Sequence, residues 1–435
     1  MNEINTILLC LHGLIDSTTL RQIQIIGQAM LTMTGRVTML GISRWTEKGG
    51  SYRTIQRFFH KNIPWEVLNW AIAKIHLAKC PVILIAGDAT TVTKSGKKTH
   101  GLGRFFSSIY SRAVPGIAFQ CLSLIDVAQR TSWPIFMEQM QPKSKEAKTN
   151  QKKKKTNKRG KGRPKGSKNK NRKDVILNAE MTQVQSMLRK LIKLIGDTAK
   201  PIYFVYDGAF GNNAAAQMTR QVDLHLISKL RNDSALYYPW DGEYSGKGKP
   251  KIYGDRIDYE NISDTYLVNE KTEDNILTKT YQISVRHKKF SDLLNSVVIL
   301  KKNLKAGKSA RIILYSTDLN LEWDNVIDYY RLRFQIEFNF RDAKQHWGLE
   351  DFMVTSKQPV SNSANISMWM INLSQALLAP TSEESILDLK VHYHGLRYAR
   401  EVFKILPKNV QPINIEQVLQ QVSALGRIHE EKMAA

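Results

Sequence analysis

The apolar positions of this chain change period along its length. From Thr19 to Met33 they fall at Leu20, Ile23, Ile26, Met30 and Leu31, the spacing of a helix with one buried face. Ser51 is a suitable N-cap for a short helix running to Phe59, and residues 1–78 as a whole read as helical. The pattern then becomes continuous. Val82-Ile83-Leu84-Ile85-Ala86-Gly87 is an unbroken apolar run that ends at Asp88, as suits a central strand covered on both faces. Runs at Ala118–Ile125, at Ile202–Tyr206 (ending at Asp207) and at Leu224–Ser228 predict further strands. A helical stretch from about Val175 to Ile195 separates two of these groups, and the alternation predicts a layered α/β core.

Residues 232–310 change character again. The turn cluster Gly246-Lys247-Gly248-Lys249-Pro250 and the alternating run Tyr281-Gln282-Ile283-Ser284-Val285 predict a β-rich insertion. One long helix is expected from Asn325 to about Trp347 and another from Asn362 to Leu378, followed by a helical tail broken at Pro407 and Pro412. The expected organisation is therefore a helical N-terminal domain (1–78), a core in three parts (79–142, 174–231 and 311–379), a linker (143–173), the β-rich insertion (232–310) and a helical C-terminal region (380–435).

Charge narrows the class. The chain of 435 residues carries a net charge of +25, which points to a polyanionic partner, most often nucleic acid. Residues 143–173 hold sixteen Lys or Arg against one acid, Glu146, and such a segment is expected to be disordered when free. Within it, Lys161-Gly162-Arg163-Pro164-Lys165-Gly166 resembles an AT-hook, which would lay Arg163 and Lys165 in a narrow minor groove. The other reading is a nonspecific phosphate-binding tail, and both predict strongly salt-dependent binding. Arg53 and Arg57, four apart on the Ser51–Phe59 helix, suit either entry into a DNA groove or the solvated face of a packing helix. The three cysteines are scattered with no Cys-x2-Cys pair, which argues against zinc and for a reducing compartment. No apolar run reaches the roughly 18–20 residues of a membrane span. Ile7–Ile15 is short and interrupted by His12, and does not read as a signal peptide.

The densest chemistry lies at Tyr330, Arg333, Glu337 and Lys344, spaced Tyr-x2-Arg-x3-Glu-x6-Lys. At about 100° per residue they fall within a stripe about 60° wide on one helix. Glu337 joins Asp88 and Asp207 as three hard oxygen donors suited to Mg²⁺ or Mn²⁺. Two such ions about 3.5–4 Å apart clamp the attacking and leaving oxygens of an in-line phosphoryl transfer. The plainer readings are a turn residue for each Asp and a surface ion pair with Arg333 or Arg341 for Glu337. Against these, a charged stripe on a helix that also carries Phe334, Phe338 and Phe340 is expensive to bury without a function.

These residues resemble the DDE transposases of bacterial insertion sequences, in the group marked by the Tyr-Arg-Glu-Lys motif (insertion sequence family four). All four motif positions match, Asp88-Ala89-Thr90 is similar to the first Asp block, and Asp207-Gly208-Ala209-Phe210-Gly211 is similar to the second. The resemblance covers roughly residues 80–350. It implies a ribonuclease H-like core with the β-rich insertion ahead of Glu337. It implies Asp88, Asp207 and Glu337 as catalytic metal ligands, and Tyr330, Arg333 and Lys344 as contacts to DNA phosphates. The implied activity is cut-and-paste transposition by a homodimer in the prokaryotic cytoplasm at the nucleoid. Mg²⁺, replaceable by Mn²⁺, is the implied cofactor, with double-stranded terminal inverted repeats and target DNA as partners. A ribonuclease H-like nuclease without strand transfer and a domesticated, inactive DNA-binding protein are the alternatives. Relatives stack a flipped base on a Trp in the last insertion strand; Arg311–Thr317 has none, and Tyr315 and Trp240, the residues that could substitute, read first as core or turn residues.

Overall fold

The computed structural model describes residues 2–46, 49–107, 110–142, 171–244, 246, 248–378, 384–405 and 415–424. The chain begins with five helices, α1 (Asn2–Leu8), α2 (Ser17–Thr32), α3 (Met39–Trp45), α4 (Tyr52–Phe59) and α5 (Trp65–Leu77). Three start on side-chain caps: Asp16 accepts from the Thr19 amide, Thr38 from Gly41 and Ser51 from Thr54, each worth about 1 kcal/mol. The predicted face of α2 is buried at Ile23, Ile26, Met30 and Leu31.

Among the described residues, twelve strands then build one mixed sheet. They are β1 (Ile83–Thr93), β2 (Gly103–Ser107), β3 (Arg112–Asp126), β4 (Thr131–Gln139), β5 (Tyr203–Val205), β6 (His225–Leu230), β7 (Leu236–Pro239), β8 (Tyr253–Arg256), β9 (Leu267–Glu273), β10 (Ile276–His287), β11 (Leu294–Asn303) and β12 (Ser309–Ser316). The order is β2-β3-β1-β5-β6-β12-β11-β10-β7-β8, with β4 on β3 and β9 on β10. Among the strands of the described residues, only β1, β5 and β6 run parallel. The remaining helices of the described residues are α6 (Ala179–Ile195), α7 (Asn213–Arg220), α8 (Trp323–Leu332), α9 (Gln335–Gln345), α10 (Lys357–Leu377), α11 (Ile386–Ile405) and α12 (Ile415–Ala424).

Four features of the structure add to or depart from the sequence reading. First, β1 does not end before Asp88. Asp88-Ala89-Thr90-Thr91-Val92-Thr93 stays in register with β3, from Asp88 opposite Cys121 to Thr93 opposite Gly116. The run is polar but β-branched, and pairing rather than hydrophobicity extends the strand. Second, the β-rich region shares one sheet with the core, because β12 pairs β6 and carries the central sheet onward. Third, β4 is an edge strand that includes Pro134, a residue that masks a strand pattern and is tolerated at edges. Its carbonyls are occupied by side-chain amides: Asn339 and Gln375 donate to Ser132, Asn372 to Pro134, Asn69 to Ile135 and Asn365 to Met137. Helix α10 is buried almost throughout, so Asn365 and Asn372 serve this edge rather than water.

Fourth, the long helix expected over Asn325–Trp347 is interrupted between Leu332 and Gln335. Arg333 and Phe334 keep helical dihedrals, but the Ile336 and Glu337 amides bond three residues back, to Arg333 and Phe334, at 3.1 and 3.0 Å. The Tyr-Arg-Glu-Lys stripe therefore spans two helices and a tight turn. The basic segment also has a fixed end. Arg172 donates to the Tyr253 hydroxyl at 2.9 Å and to the Phe290 carbonyl at 3.2 Å, and its own carbonyl accepts from Asn213.

The two faces of the sheet are covered separately. Ile85, Phe204 and Tyr206 belong to the larger core with Val184, Met187, Leu188 and Leu191 of α6. Leu84, Ala86, Tyr203, Val205 and Ile227 pack with Val326, Ile327, Tyr329 and Leu332 of α8. Gly87 points toward the first face, where a Cβ would stand 2.7 Å from the Tyr206 ring and 2.9 Å from Phe204.

Candidate active site

Strand register sets the site. Ala86 of β1 lies opposite Val205 of the parallel strand β5, so Asp88 and Asp207 continue the same two rows on the face that carries α8. Asp207 caps a short 3₁₀ turn by accepting from the Ala209 amide at 2.9 Å, and its carbonyl accepts from Ser228 Oγ at 2.7 Å. Asp88 accepts from the Ala89 amide at 2.8 Å, and its carbonyl accepts from Gln120 Nε2 at 3.0 Å. Gln120 is in turn bonded by the Tyr206 hydroxyl and is almost fully buried. It was not among the expected site residues. Its signal in the sequence is a lone amide inside the apolar run Ala118–Ile125.

Arg333 enters from the turn between α8 and α9. Its Nη1 stands 3.5 Å from Asp88 Oδ2 and its Nη2 donates to Glu337 Oε1 at 2.9 Å. The Arg333 side chain is only 12% exposed, and its guanidinium bridges two of the three carboxylates. It also lies over the Tyr330 ring, 5.8 Å from the centroid. Lys344 reaches Glu350 Oε1 at 3.1 Å and the Thr91 carbonyl at 3.0 Å, which ties the end of α9 to β1. Lys94, its amine over the Phe352 ring at 3.6 Å, holds the adjoining loop through the Glu350 and Phe352 carbonyls.

The electrostatics agree with a crowded acidic site. Burial raises the Asp88 carboxyl to about 6; the Ala89 amide and Arg333 pull it down, while Asp207 and Glu337 push it up. Burial opposes the Arg333 charge, but Asp88 and Glu337 outweigh it and hold Arg333 above its ordinary value. Burial also raises the Tyr330 phenol. Asp88 thus feels both Asp207 and Glu337, and Arg333 bridges Asp88 and Glu337. Among the described residues, no three His, Cys, Asp or Glu side chains already ring a point where one ion would sit. The donor chemistry nevertheless fits a hard divalent cation: these are oxygen ligands, and burial first, with Asp207 and Glu337 adding to it, raises Asp88 against the pull of Ala89 and Arg333.

The other expected residues are elsewhere. Arg53 and Arg57 lie on α4, where they line a hollow of about 490 Å³ with Gln56, His60 and Lys61. Arg163 and Lys165 fall outside the described residues. Tyr315 is fully buried and donates to the Phe210 carbonyl at 3.1 Å, so its ring is a core element and offers no face to a base. Trp240 is partly exposed, with the Lys251 amine over its ring. No helix of the described residues is long and apolar enough to cross a membrane.

Comparison with known proteins bears on this geometry. A cryo-EM structure of the piggyBac transposase synaptic complex with hairpin DNA is 9% identical, with 100% of this chain and 83% of that chain covered and a TM-score of 0.36, a superposition too loose to argue from. No curated protein matches the chain. The family model described as DDE superfamily endonuclease matches residues 10–288, which include Asp88 and Asp207 and stop short of Glu337. That match spans more than half of the sequence, and the chain belongs to the DDE superfamily of endonucleases.

Proposed function

We propose that this endonuclease is a DNA transposase of the insertion-sequence type, with a ribonuclease H-like catalytic core, acting by cut-and-paste. It binds the terminal inverted repeats of its own element, hydrolyses the phosphodiester there, and joins the freed 3′-OH to target DNA. The observation that carries this reading is the Arg333 bridge between Asp88 and Glu337, beside Asp207 on the same sheet face. In this reading Asp88, Asp207 and Glu337 hold divalent metal, Mg²⁺ or Mn²⁺, as nucleases of this superfamily do. When bound, the metal supplies positive charge and Lewis acidity at the scissile phosphate.

Arg333 then exchanges a carboxylate for a DNA phosphate, and its planar fork suits both partners. Tyr330 offers its hydroxyl to the same strand, and Lys344, held at Glu350, is a point charge along the backbone. Arg53, Arg57, Arg163 and Lys165 add contacts away from the chemistry. The active form is a homodimer, because two element ends must meet, and it works in the prokaryotic cytoplasm at the nucleoid.

Incubating the full chain with candidate element ends and Mg²⁺, and mapping the cut at nucleotide resolution, tests the proposal. Cleavage at the element boundary is expected, with strand-transfer products on a plasmid target. Cleavage without those products favours a nuclease that cuts and does not join. Unchanged processing by Glu337→Gln, or in EDTA, would exclude the metal mechanism. A strictly monomeric active complex, seen on mixing tagged subunits with end DNA, would exclude the dimer.

A further inference from the structure

A second basic site lies away from the carboxylates, in a cleft of about 300 Å³ between α2 and α11. From α2 it is lined by Arg21, Gln24 and Gln28, and from α11 by Arg397 and Arg400, with Trp45 at the end of α3. These positions recur every three or four residues, so one stripe of each helix faces the other across the cleft. Ala29 and Tyr393, exposed by only 1% and 3%, form part of its floor. No acidic side chain is among the described residues that line it. Arg397 pairs with Glu401 at 3.2 Å, whereas Arg21 and Arg400 form no ion pair among the described residues.

The aromatic wall is braced. The Trp45 ring lies 5.5 Å from His394 and 6.2 Å from Tyr398, and His394 Nδ1 is 2.7 Å from the Thr32 carbonyl. Three arginines line one small, partly apolar cleft, where repulsion among them, offset at Arg397 by Glu401, is screened less than on open surface. A phosphate relieves that repulsion, and a flat aromatic base stacks on indole or guanidinium. The volume is at the low end for a ligand site, near that of one nucleotide.

We propose that this cleft binds a nucleoside phosphate, as one nucleotide of a DNA strand or as a free nucleotide. Arg21, Arg397 and Arg400 meet the phosphate, and Trp45 carries the base. The inference rests on the nucleic-acid part of the proposed function and not on its catalysis.

The test uses the full chain in EDTA, so that no cleavage occurs. A short fluorescein-labelled duplex of random sequence and deoxyadenosine monophosphate are titrated separately into the wild type, Arg21→Ala/Arg400→Ala, Trp45→Leu and, as a control, Arg53→Ala/Arg57→Ala. Circular dichroism verifies that each variant is folded. If the cleft holds a DNA strand, the Arg21/Arg400 variant binds duplex roughly a hundredfold more weakly, and its log K against log salt slope is shallower by about 2. Trp45→Leu then weakens duplex binding with the slope unchanged. If it holds free nucleotide, the monophosphate binds the wild type and loses affinity in both variants. The proposal is overturned if the wild type binds neither probe, or if both probes bind the Arg21/Arg400 variant as they bind the wild type. In the latter case, weaker duplex binding by the Arg53/Arg57 variant alone would leave the DNA-binding reading intact.

Discussion

Asp88→Asn should stabilise the metal-free protein at neutral and alkaline pH. Burial raises the Asp88 carboxyl from 3.8 to about 6, with Asp207 and Glu337 adding to the rise against the pull of Ala89 and Arg333. The unfolded chain ionises near the ordinary value, so between these pH values the folded state binds the proton more tightly. Folding is therefore favoured as pH falls through about 6, and the cost of the carboxylate is fully present above it. The gap between 3.8 and about 6 makes that cost about 3 kcal/mol at alkaline pH, and a neutral Asn escapes it. Thermal unfolding in EDTA, scanned from acid to alkaline pH, is the assay. The variant should melt several degrees above the wild type at alkaline pH, and the two curves should meet in acid. Mg²⁺ should close most of this gap by stabilising only the wild type, by about 2.7 kcal/mol at a hundredfold excess over Kd, and reverse the order at a thousandfold excess, where the gain is about 4.1 kcal/mol. A variant that melts below the wild type at alkaline pH in EDTA would refute the reasoning, since Asp88 would then be held by Arg333 as a net stabilising ion pair.

Other perturbations test the scaffold and the basic segment. Gly87→Ala places a methyl 2.7 Å from the Tyr206 ring; overpacking of this kind costs about 1–3 kcal/mol and should lower the melting temperature. Asn372→Leu removes the donor to the Pro134 carbonyl at 2.7 Å and to Asn69 at 2.9 Å, and should cost about 1–3 kcal/mol in thermal unfolding. Deleting residues 143–170, which keeps the Arg172 anchor, should leave the circular dichroism of the core intact while weakening DNA binding and flattening its salt dependence. Loss of the folded core on that deletion would show that the segment is structural.

Much of the fold was legible because burial leaves a periodic trace. The apolar runs before Asp88 and Asp207 mark strands covered on both faces, and their parity puts both carboxylates on the side of α8. Other features leave no such trace. Strand β4 is concealed by Pro134 and completed by amides from α5, α9 and α10, partners that no local window contains. The interruption at Arg333 occurs where composition and dihedrals both remain helical. The Arg333 bridge to Asp88 joins residues far apart in the chain, so it emerges only once the sheet and α8 are packed together. Gln120 was visible as a polar residue in an apolar strand, but its bond to the Asp88 carbonyl depends on the pairing of β1 with β3.

The central claim is that Asp88, Asp207 and Glu337 act as one metal centre. Titration of Mn²⁺ into the full chain with end DNA, followed by electron paramagnetic resonance, tests it most directly for the wild type, Asp207→Asn and Glu337→Gln. The account predicts saturable Mn²⁺ binding by the wild type that weakens tenfold or more in each variant, about 1.4 kcal/mol or more per ligand lost. Equal Mn²⁺ affinity in all three proteins, or none in the wild type, would contradict it.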